Sequence, residues 1–484
     1  MAWSIIHPIL VAIVIAGAMP LIAGCYQFLL AGFNGFFGVW KREGVPGVPL
    51  PRVAVIVPAW NEAAVIGRTL DTLMALDYPA DRLRVYVVDD ASTDETPGVI
   101  LGKSAEYPGR VFHVRREQGG EGKAHTINHG LRTIRSEDWY EAILIIDADV
   151  IFTPRSLRKM ARHLTRSEVG AVTAYIKEGS RPENFMNRFI AYEYVNAQAG
   201  ARRAQNVLGA QACLAGGAQL IRRDAFEAIG GVIDTSSLAE DTFTTLNIQL
   251  AGWRVVFEPH AIVWAEEPRD IGGLWKQRLR WGRGNVQVTL RYRRVWLRRW
   301  TAGRLGSLSF ALIWFSVFLM PAFMISSSLA LIVLWLHDRD VSIEAFRLLW
   351  FVNLATYLFI TLSSFSLDWS AARVAWREAF LFPGLISLAI IAYAIVPDLI
   401  GEVGGDAFLL FAYVWLSASM LAAWLVKRIE ATRVLGWAAR PLLYVVGFGP
   451  VLCAITANAY VKEIRGSEMV WEKTEKTGTV GELA

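Results

Sequence analysis

Long uncharged runs divide this chain and restrict its fold more than any other feature. Residues 7–33 hold no Lys, Arg, Asp or Glu, and further apolar runs occupy 306–336, 348–367, 379–397, 406–426 and 442–461. A helix needs roughly 20 apolar residues to cross a bilayer, so about six spans are expected. The hydrophobic share is 54%, more than an ordinary soluble domain carries. The excess is uneven, which implies a membrane part joined to a water-soluble part. A signal peptide would open with basic residues, and MAWSIIH has no Lys or Arg. A retained helix is therefore expected, with Pro20 placed to kink it.

Positive charge beside a span marks the cytoplasmic side. Lys41 and Arg42 follow the first run and precede the linker EGVPGVPLP. Arg373, Arg377, Lys427, Arg428 and Arg433 flank later runs, whereas PDLIGEVGGD is acidic. The expectation is a multi-pass protein of the cell's inner (plasma) membrane, with its N-terminus outside and its polar region cytoplasmic. Six spans place the tail outside; one re-entrant segment places it inside. The net charge of +5 is modest and gathers at membrane flanks. It suits lipid headgroups or phosphates and excludes nucleic acid as the expected partner. The three cysteines, Cys25, Cys213 and Cys453, are far apart, so neither a disulfide framework nor a zinc site is expected.

Between the first run and the rest, the pattern changes to short β-branched runs alternating with helical spacing. VAVIVPAW, LRVYVVDD, GRVFHVRR and EAILIIDADV read as strands; AAVIGRTLDTLMAL and AHTINHGLRTI read as helices. Such alternation implies a largely parallel sheet, which collects ligands at the carboxyl ends of its strands. The expected division is 1–40 for a transmembrane helix, 41–267 for a cytosolic α/β domain, 268–304 for amphipathic interface helices, 305–462 for a transmembrane bundle and 463–484 for a tail.

Five motifs carry chemistry. Asp89 and Asp90 end a strand in VVDDAS. They suit a turn, but two repelling carboxylates suit a set of hydrogen-bond acceptors better. In IIDADV, strand alternation would put Asp147 and Asp149 on one face, where two carboxylates can grip Mg²⁺ or Mn²⁺. GGEGKAH offers close backbone approach and a lysine, Lys123, for phosphate; it lacks the Ser/Thr of a Walker A loop and also fits a plain flexible loop. Glu240 and Asp241 open a helix, where acids are favoured in any case; one of them can also serve as a base for a hydroxyl. Gln277, Arg280 and Trp281 lie on one helical face. Arg280 suits a diphosphate, and Trp281 offers a flat platform to a sugar. Residues 275–300 also fit an amphipathic helix in the headgroup layer, with its arginines on lipid phosphate.

The order VPAWNE, VVDDAS, GKA, DAD, AED and QRLRW resembles the processive family-2 glycosyltransferases of membranes, which have the GT-A fold. These include cellulose, hyaluronan, chitin-oligosaccharide and poly-N-acetylglucosamine synthases. CLAGGAQLIRRDAFEAIGG and GLWKQRLRWGRG are most similar to the poly-N-acetylglucosamine synthases. The resemblance covers roughly 51–283. It implies a GT-A-type α/β domain between transmembrane helices and an inverting, metal-dependent hexosyltransferase. That enzyme would polymerise a UDP-sugar, N-acetylglucosamine ahead of glucose, into exopolysaccharide of the kind found in biofilms and pass it across the membrane. It implies that Pro58, Ala59 and Glu62 line the nucleotide pocket, that Asp89 or Asp90 meets the uracil or ribose of UDP, and that Lys123 lies by the nucleotide. Asp147 and Asp149 would hold Mg²⁺ or Mn²⁺, and Asp241, beside Glu240, would be the base. Gln277, Arg280 and Trp281 would close over the diphosphate and the acceptor end. The chain has AED where TED is usual, which changes the neighbour of the base but keeps both acids. The tail is too short for an added cyclic-nucleotide-sensing domain, so control of that kind is expected from a partner subunit or the membrane helices. Two alternatives stand beside polymer synthesis. One is a glycolipid or short-product transferase. The other is a non-enzymatic transporter or receptor that senses a nucleotide, which would want ionisable residues within its spans.

Overall fold

The computed structural model describes residues 2–37, 47–396, 405–468 and 476–480. Lys41, Arg42 and most of PDLIGEVGGD lie outside the described residues. The chain divides into two compact units, an α/β unit (30–268, 287–310 and 468–484) and a helical unit (1–29, 269–286 and 311–467).

The α/β unit is built on an eight-stranded sheet. Its strands are β1 (Val53–Ala59), β2 (Leu83–Asp89), β3 (Val111–Arg115), β4 (Ala142–Ile145), β5 (Ile151–Phe152), β6 (Val169–Glu178), β7 (Gln219–Arg222) and β8 (Arg254–Ala265). The spatial order is β3-β2-β1-β4-β7-β6-β8-β5. Strands β3, β2, β1 and β4 are parallel, as alternation with helices requires. Helix Lys123–Glu137 covers one face and seats Ile127 and Leu131 against Ile56 and Val88. The other half of the sheet is mixed, because β7 runs antiparallel to both β4 and β6 and β5 runs antiparallel to β8. The expectation of a largely parallel sheet thus fits only the first half. Strand direction follows the route of the connection, and the long path from 179 to 218 returns the chain the other way.

A second correction concerns the acids after β4. Pairing stops at Ile145, and Val150 N–H donates to the Asp147 carbonyl at 3.3 Å, so Asp147 and Asp149 stand in a turn rather than on one strand face. The expected amphipathic helix over 275–300 is also shorter. It runs Ile271–Arg291, and the chain then turns, with Leu297 at φ +60° and the Trp296 indole donating back to the Thr289 carbonyl at 2.9 Å. Tyr292 fixes this turn inside the α/β unit through a 2.7 Å hydrogen bond to Asn247.

In the helical unit, Met320–His337, Arg339–Leu367 and Gly405–Glu430 are long and apolar enough to cross a membrane, and up to six spans result if each of three bent helix pairs is one span. The pairs are Ile6–Ala16 with Met19–Phe33 (47°), Trp369–Phe380 with Leu385–Ile395 (71°), and Gly436–Val446 with Phe448–Ile464 (99°). The first bend precedes Pro20 rather than centring on it, because proline is tolerated in the opening turn of a helix. The other two pairs meet at their breaks. A Cβ at Gly384 would lie 2.4 Å from the Val446 carbonyl, and one at Gly447 would lie 2.4 Å from that of Pro383. Only glycine allows such backbone contact. Asp368 and Glu378 both have structural partners: Asp368 caps the helix Trp369–Phe380, and Glu378 accepts from the Tyr444 hydroxyl at 2.8 Å.

Candidate functional site

Because β2, β1 and β4 are neighbours and parallel, the turns that follow them share one edge of the sheet. Two of these turns hold non-glycine residues in the left-handed region, Asn61 at φ +54° and Ala91 at φ +55°. Such strain persists where surrounding contacts enforce it, and here the turns brace each other. Asn61 N–H donates to Ser92 Oγ at 3.0 Å, and Glu62 N–H donates to Thr96 Oγ1 at 2.7 Å. Asp90 N–H donates to the Ala59 carbonyl at 2.8 Å, which joins the Pro58–Glu62 turn to the acidic pair.

The two aspartates of that pair have different surroundings. Asp89 is wholly buried; it accepts from Ser92 N–H at 2.8 Å and from Arg115 at 2.9 Å, with His113 at 3.3 Å. Asp90 pairs with Arg116 and accepts from Gly120 N–H at 3.1 Å. The GGEGKAH loop closes over Asp90 so tightly that a Cβ at Gly119 would meet the Asp90 carbonyl at 2.1 Å. Arg116 also pairs with Glu121 of the same loop. Sequence reasoning did not single out Arg115 or Arg116, which resemble any basic strand end.

At the far end of this loop Lys123 starts a helix and turns inward. Its ammonium is 2.5 Å from Asp147, 3.7 Å from Glu240 and 3.4 Å from the Gly216 carbonyl. Burial works against its charge, but Asp147, Glu240 and Asp241 more than compensate and hold its pKa up at about 12. Gly216 is the meeting point of three motifs. A Cβ there would lie 3.4 Å from Asp241 Oδ2, 3.4 Å from Lys123 Nζ and 3.9 Å from Asp147 Oδ2. The segment carrying Gly216 is tied to the helix Glu240–Leu250 by Thr245. Its hydroxyl donates to the Asp241 carbonyl at 2.6 Å and accepts from Leu214 N–H at 2.7 Å. Nearby, burial and then Asp241 push the Cys213 thiol well above its usual range. Arg202 is buried in the same region and donates to Thr173 at 3.2 Å.

Asp149 is buried as well, and its partner comes from far along the chain. Lys476 lies 2.7 Å from Asp149 Oδ2. Among the described residues, no group of three or more His, Cys, Asp or Glu gathers to hold a metal. Two carboxylates suffice for a Mg²⁺-type ion that draws its other ligands from water and phosphate. Each carboxylate of the DAD turn already faces a cationic ammonium, so this pair of hard oxygen donors fits a divalent ion.

Gln277, Arg280 and Trp281 belong to the helical unit. Their helix is capped there by Glu430, which accepts from Ile271 N–H at 3.0 Å and Gly272 N–H at 2.8 Å. Lys427 stands over the Trp275 ring at 4.6 Å, and Arg283 pairs with Glu463. Gln277 is buried and accepts from Arg278, whose guanidinium lies over the Trp281 ring at 4.1 Å.

Residues 51–284 match the family described as "Glycosyltransferase like family 2". A probable glycosyltransferase, YdaM, of Bacillus subtilis (strain 168) is 30% identical over 316 residues, 64% of this chain and 73% of that protein. A beta-monoglucosyldiacylglycerol synthase of Synechocystis is 31% identical over 246 residues, covering 51% of this chain and 50% of the relative. A poly-beta-1,6-N-acetyl-D-glucosamine synthase of Staphylococcus aureus (strain COL) is 28% identical over 252 residues, covering 52% and 58%. The matched regions thus span about half of the last two relatives. Among solved structures, the mannosyltransferase PcManGT of Pyrobaculum calidifontis, in complex with GDP-Man and Mn²⁺, aligns with TM-score 0.52 at 24% identity. That alignment covers 80% of this chain and 99% of that one, and it supports a GT-A-type fold. The chain belongs to the family 2 glycosyltransferases, and it is an enzyme of that class.

Proposed function

We propose that the protein is an inverting, metal-dependent transferase that extends a polysaccharide from a UDP-sugar at the cytoplasmic face of the cell membrane and passes the product outward. UDP-N-acetylglucosamine is the favoured donor and UDP-glucose the next. The observation that carries this is the convergence of Lys123, Asp147 and Asp241 around Gly216. A phosphate-binding cation, a metal-binding carboxylate and a candidate base meet where no side chain fills the space.

The roles are those that the order of the motifs implies for these residues. Pro58, Ala59 and Glu62 border the nucleotide pocket, and Asp90, at the mouth of its loop, meets the uridine, while fully engaged Asp89 holds the pocket's wall. Asp147 and Asp149 would hold Mg²⁺ or Mn²⁺, which would supply positive charge for the departing diphosphate. Lys123 and Arg280 add theirs. Asp241, with Glu240 beside it, takes the proton of the acceptor hydroxyl as that oxygen bonds to the anomeric carbon. The bond from that carbon to the diphosphate oxygen breaks on the opposite side, and UDP leaves with the electron pair. An α-linked donor therefore gives a β-linked product. Gln277 and Trp281 serve the diphosphate and the acceptor sugar, and the interfacial arginines rest on anionic lipid.

A glycolipid product has support of its own, since the diacylglycerol glucosyltransferase matches this chain as well as the polymer synthase does. One experiment separates them. The purified protein is given UDP-N-acetylglucosamine or UDP-glucose with Mg²⁺ or Mn²⁺; UDP release is followed and products are sized. Long polymer from one donor is expected. Lipid-linked or short product favours the glycolipid synthase, and no metal-dependent turnover with either donor counts against both.

A further inference from the structure

Arg116 is buried at the strand ends of the sheet and pairs with two carboxylates, Asp90 and Glu121. Arg202 is as well buried, at 9% exposure, but no carboxylate pairs with it among the described residues. Its hydrogen-bond partner there is a hydroxyl, Thr173 Oγ1 at 3.2 Å, and the Phe257 ring lies 6.0 Å from the guanidinium carbon. Thr173 Oγ1 is shared, since it also accepts from Ala215 N–H at 2.9 Å. A guanidinium is rich in N–H donors, so most of this fork is uncommitted, in a place where an uncompensated charge is costly. Burial draws its pKa below the usual range, and the field of Cys213, Asp241 and Tyr194 works the other way. Arg202 therefore stands within electrostatic reach of the candidate base.

The helix that carries Arg202 changes its winding beside it. A π turn, Val195–Gly200, joins Phe185–Tyr194 to Ala201–Leu208, and such turns recur at functional sites. Gln198 lies in the π turn, one helical turn before Arg202. It too is 9% exposed, and its Oε1 has no hydrogen-bond partner among the described residues. After Arg202 the amides are committed. Gln205 accepts from Ala212 N–H at 3.0 Å, and Asn206 donates to the Phe257 carbonyl at 2.8 Å and accepts from Phe257 N–H at 2.9 Å. These bonds fix the helix on β8. Gln219 stands opposite Thr173 in the sheet, donates to the Gly216 carbonyl at 3.4 Å and holds another buried oxygen without a partner. The uncommitted groups thus lead from the π turn past Thr173 to Gly216, where Lys123, Asp147 and Asp241 converge.

The chemistry of the set selects its ligand. Arg202 offers donors, and Gln198 and Gln219 offer acceptors. A hydroxyl group both gives and takes a hydrogen bond, so it suits such a mixture. Asp241 beside the set repels an anion, which leaves a neutral compound with several hydroxyls. We propose, resting on Asp241 as the base, that Arg202 and Gln198 form the subsite for the neutral terminal sugar of the acceptor. Arg202 donates to the oxygens of that sugar and Gln198 accepts from one of its hydroxyls. Held this way, the sugar turns its attacking hydroxyl toward Asp241.

The test uses the full chain in lipid nanodiscs with Mn²⁺, UDP-N-acetylglucosamine and an added β-linked N-acetylglucosamine disaccharide; UDP-glucose and a β-linked glucose disaccharide run in parallel. Transfer to the disaccharide, sugar released to water and UDP–Mn²⁺ affinity are measured for wild type, Arg202→Met, Arg202→Lys and Gln198→Leu. Arg202→Met is expected to raise the acceptor KM about tenfold and to send a larger share of the donor sugar to water, with UDP–Mn²⁺ affinity within about twofold of wild type. Arg202→Lys should fall between the two, because lysine keeps the charge and loses the fork. Gln198→Leu should raise the acceptor KM about threefold and leave UDP–Mn²⁺ affinity unchanged. A wild-type acceptor KM in Arg202→Met overturns the subsite while the base and the polymer reading stand. An equal loss of UDP–Mn²⁺ affinity marks a structural role and overturns it too. Transfer by wild type to neither disaccharide overturns the subsite together with the polymer reading. Should Arg202→Met fail to fold, hydrogen exchange in the wild-type peptide holding 194–206 decides. The disaccharide, added over UDP and Mn²⁺, should slow that exchange, and no change overturns the proposal.

Discussion

Near the strand ends of the α/β unit, buried carboxylates are paired with cations: Asp89 with Arg115, Asp90 with Arg116, Asp149 with Lys476. In the helical unit, hydroxyls bonded to neighbouring backbone recur. Ser328 donates to the Tyr413 carbonyl at 2.7 Å, and Ser342 donates to the Leu331 carbonyl at 3.0 Å. The difference reflects solvent. At the edge of a water-soluble sheet an ion pair can form, and removing one partner leaves the other's charge uncompensated. Inside a bilayer the cheaper polar contact is a hydroxyl that shares a carbonyl already within reach. Function should therefore fail one way when the first unit is altered and another way when the second is.

The largest effect is expected at the base. Asp241→Asn should lower kcat by roughly a thousandfold while UDP still binds with Mn²⁺. Near-wild-type turnover in that variant would sink the assignment. Next comes the turn below it: Asp149→Ala should weaken metal-dependent UDP binding by about tenfold or more, about 1.4 kcal/mol, as read by titration with and without Mn²⁺. A loss equal in both conditions would point to general damage instead.

The helical unit should respond in stability. Gly384→Ala forces a Cβ against the Val446 carbonyl at φ +88°, which costs about 1–3 kcal/mol and should lower the thermal midpoint by roughly 5 °C. UDP binding should persist below that midpoint; its loss would mean that the stability of the two units is coupled. The smallest effect concerns Glu178. Burial, with repulsion from Glu267, raises its carboxyl from the ordinary 4.5 to about 8, although hydrogen bonds from Ser180 pull the other way. The folded protein thus holds this proton more tightly than the unfolded chain. That contribution is whole below the ordinary pKa and is lost as pH rises through about 8. Glu178→Gln should flatten the fall of the unfolding midpoint between the ordinary pKa of 4.5 and about pH 8, and identical slopes in the two proteins would remove Glu178 as the cause.

Much of the site is readable because its residues stand at fixed places in a repeating pattern. Strands such as VAVIVPA and LRVYVVD announce themselves by β-branched runs, and an acid at the close of such a run is conspicuous. Gly216 is quieter: a glycine shows what its missing side chain would touch only when Asp241, Lys123 and Asp147 are around it. Lys476 is quieter still. In EKTEKT it looks like a solvated charge run, and nothing local marks one lysine as buried.

The sequence by itself determined which segments are long and apolar enough to cross a membrane and which carry the strand-and-helix pattern of an α/β domain, since apolar length and periodicity set that division. It also determined the order of the acidic motifs along the chain and thus the family resemblance. Tertiary structure decided strand direction at β7, the turn that carries Asp147 and Asp149, the breaks where Gly384 and Gly447 touch, and the partner of Asp149. Each of these depends on contacts between residues far apart in the chain, and local periodicity holds no record of what a distant segment brings.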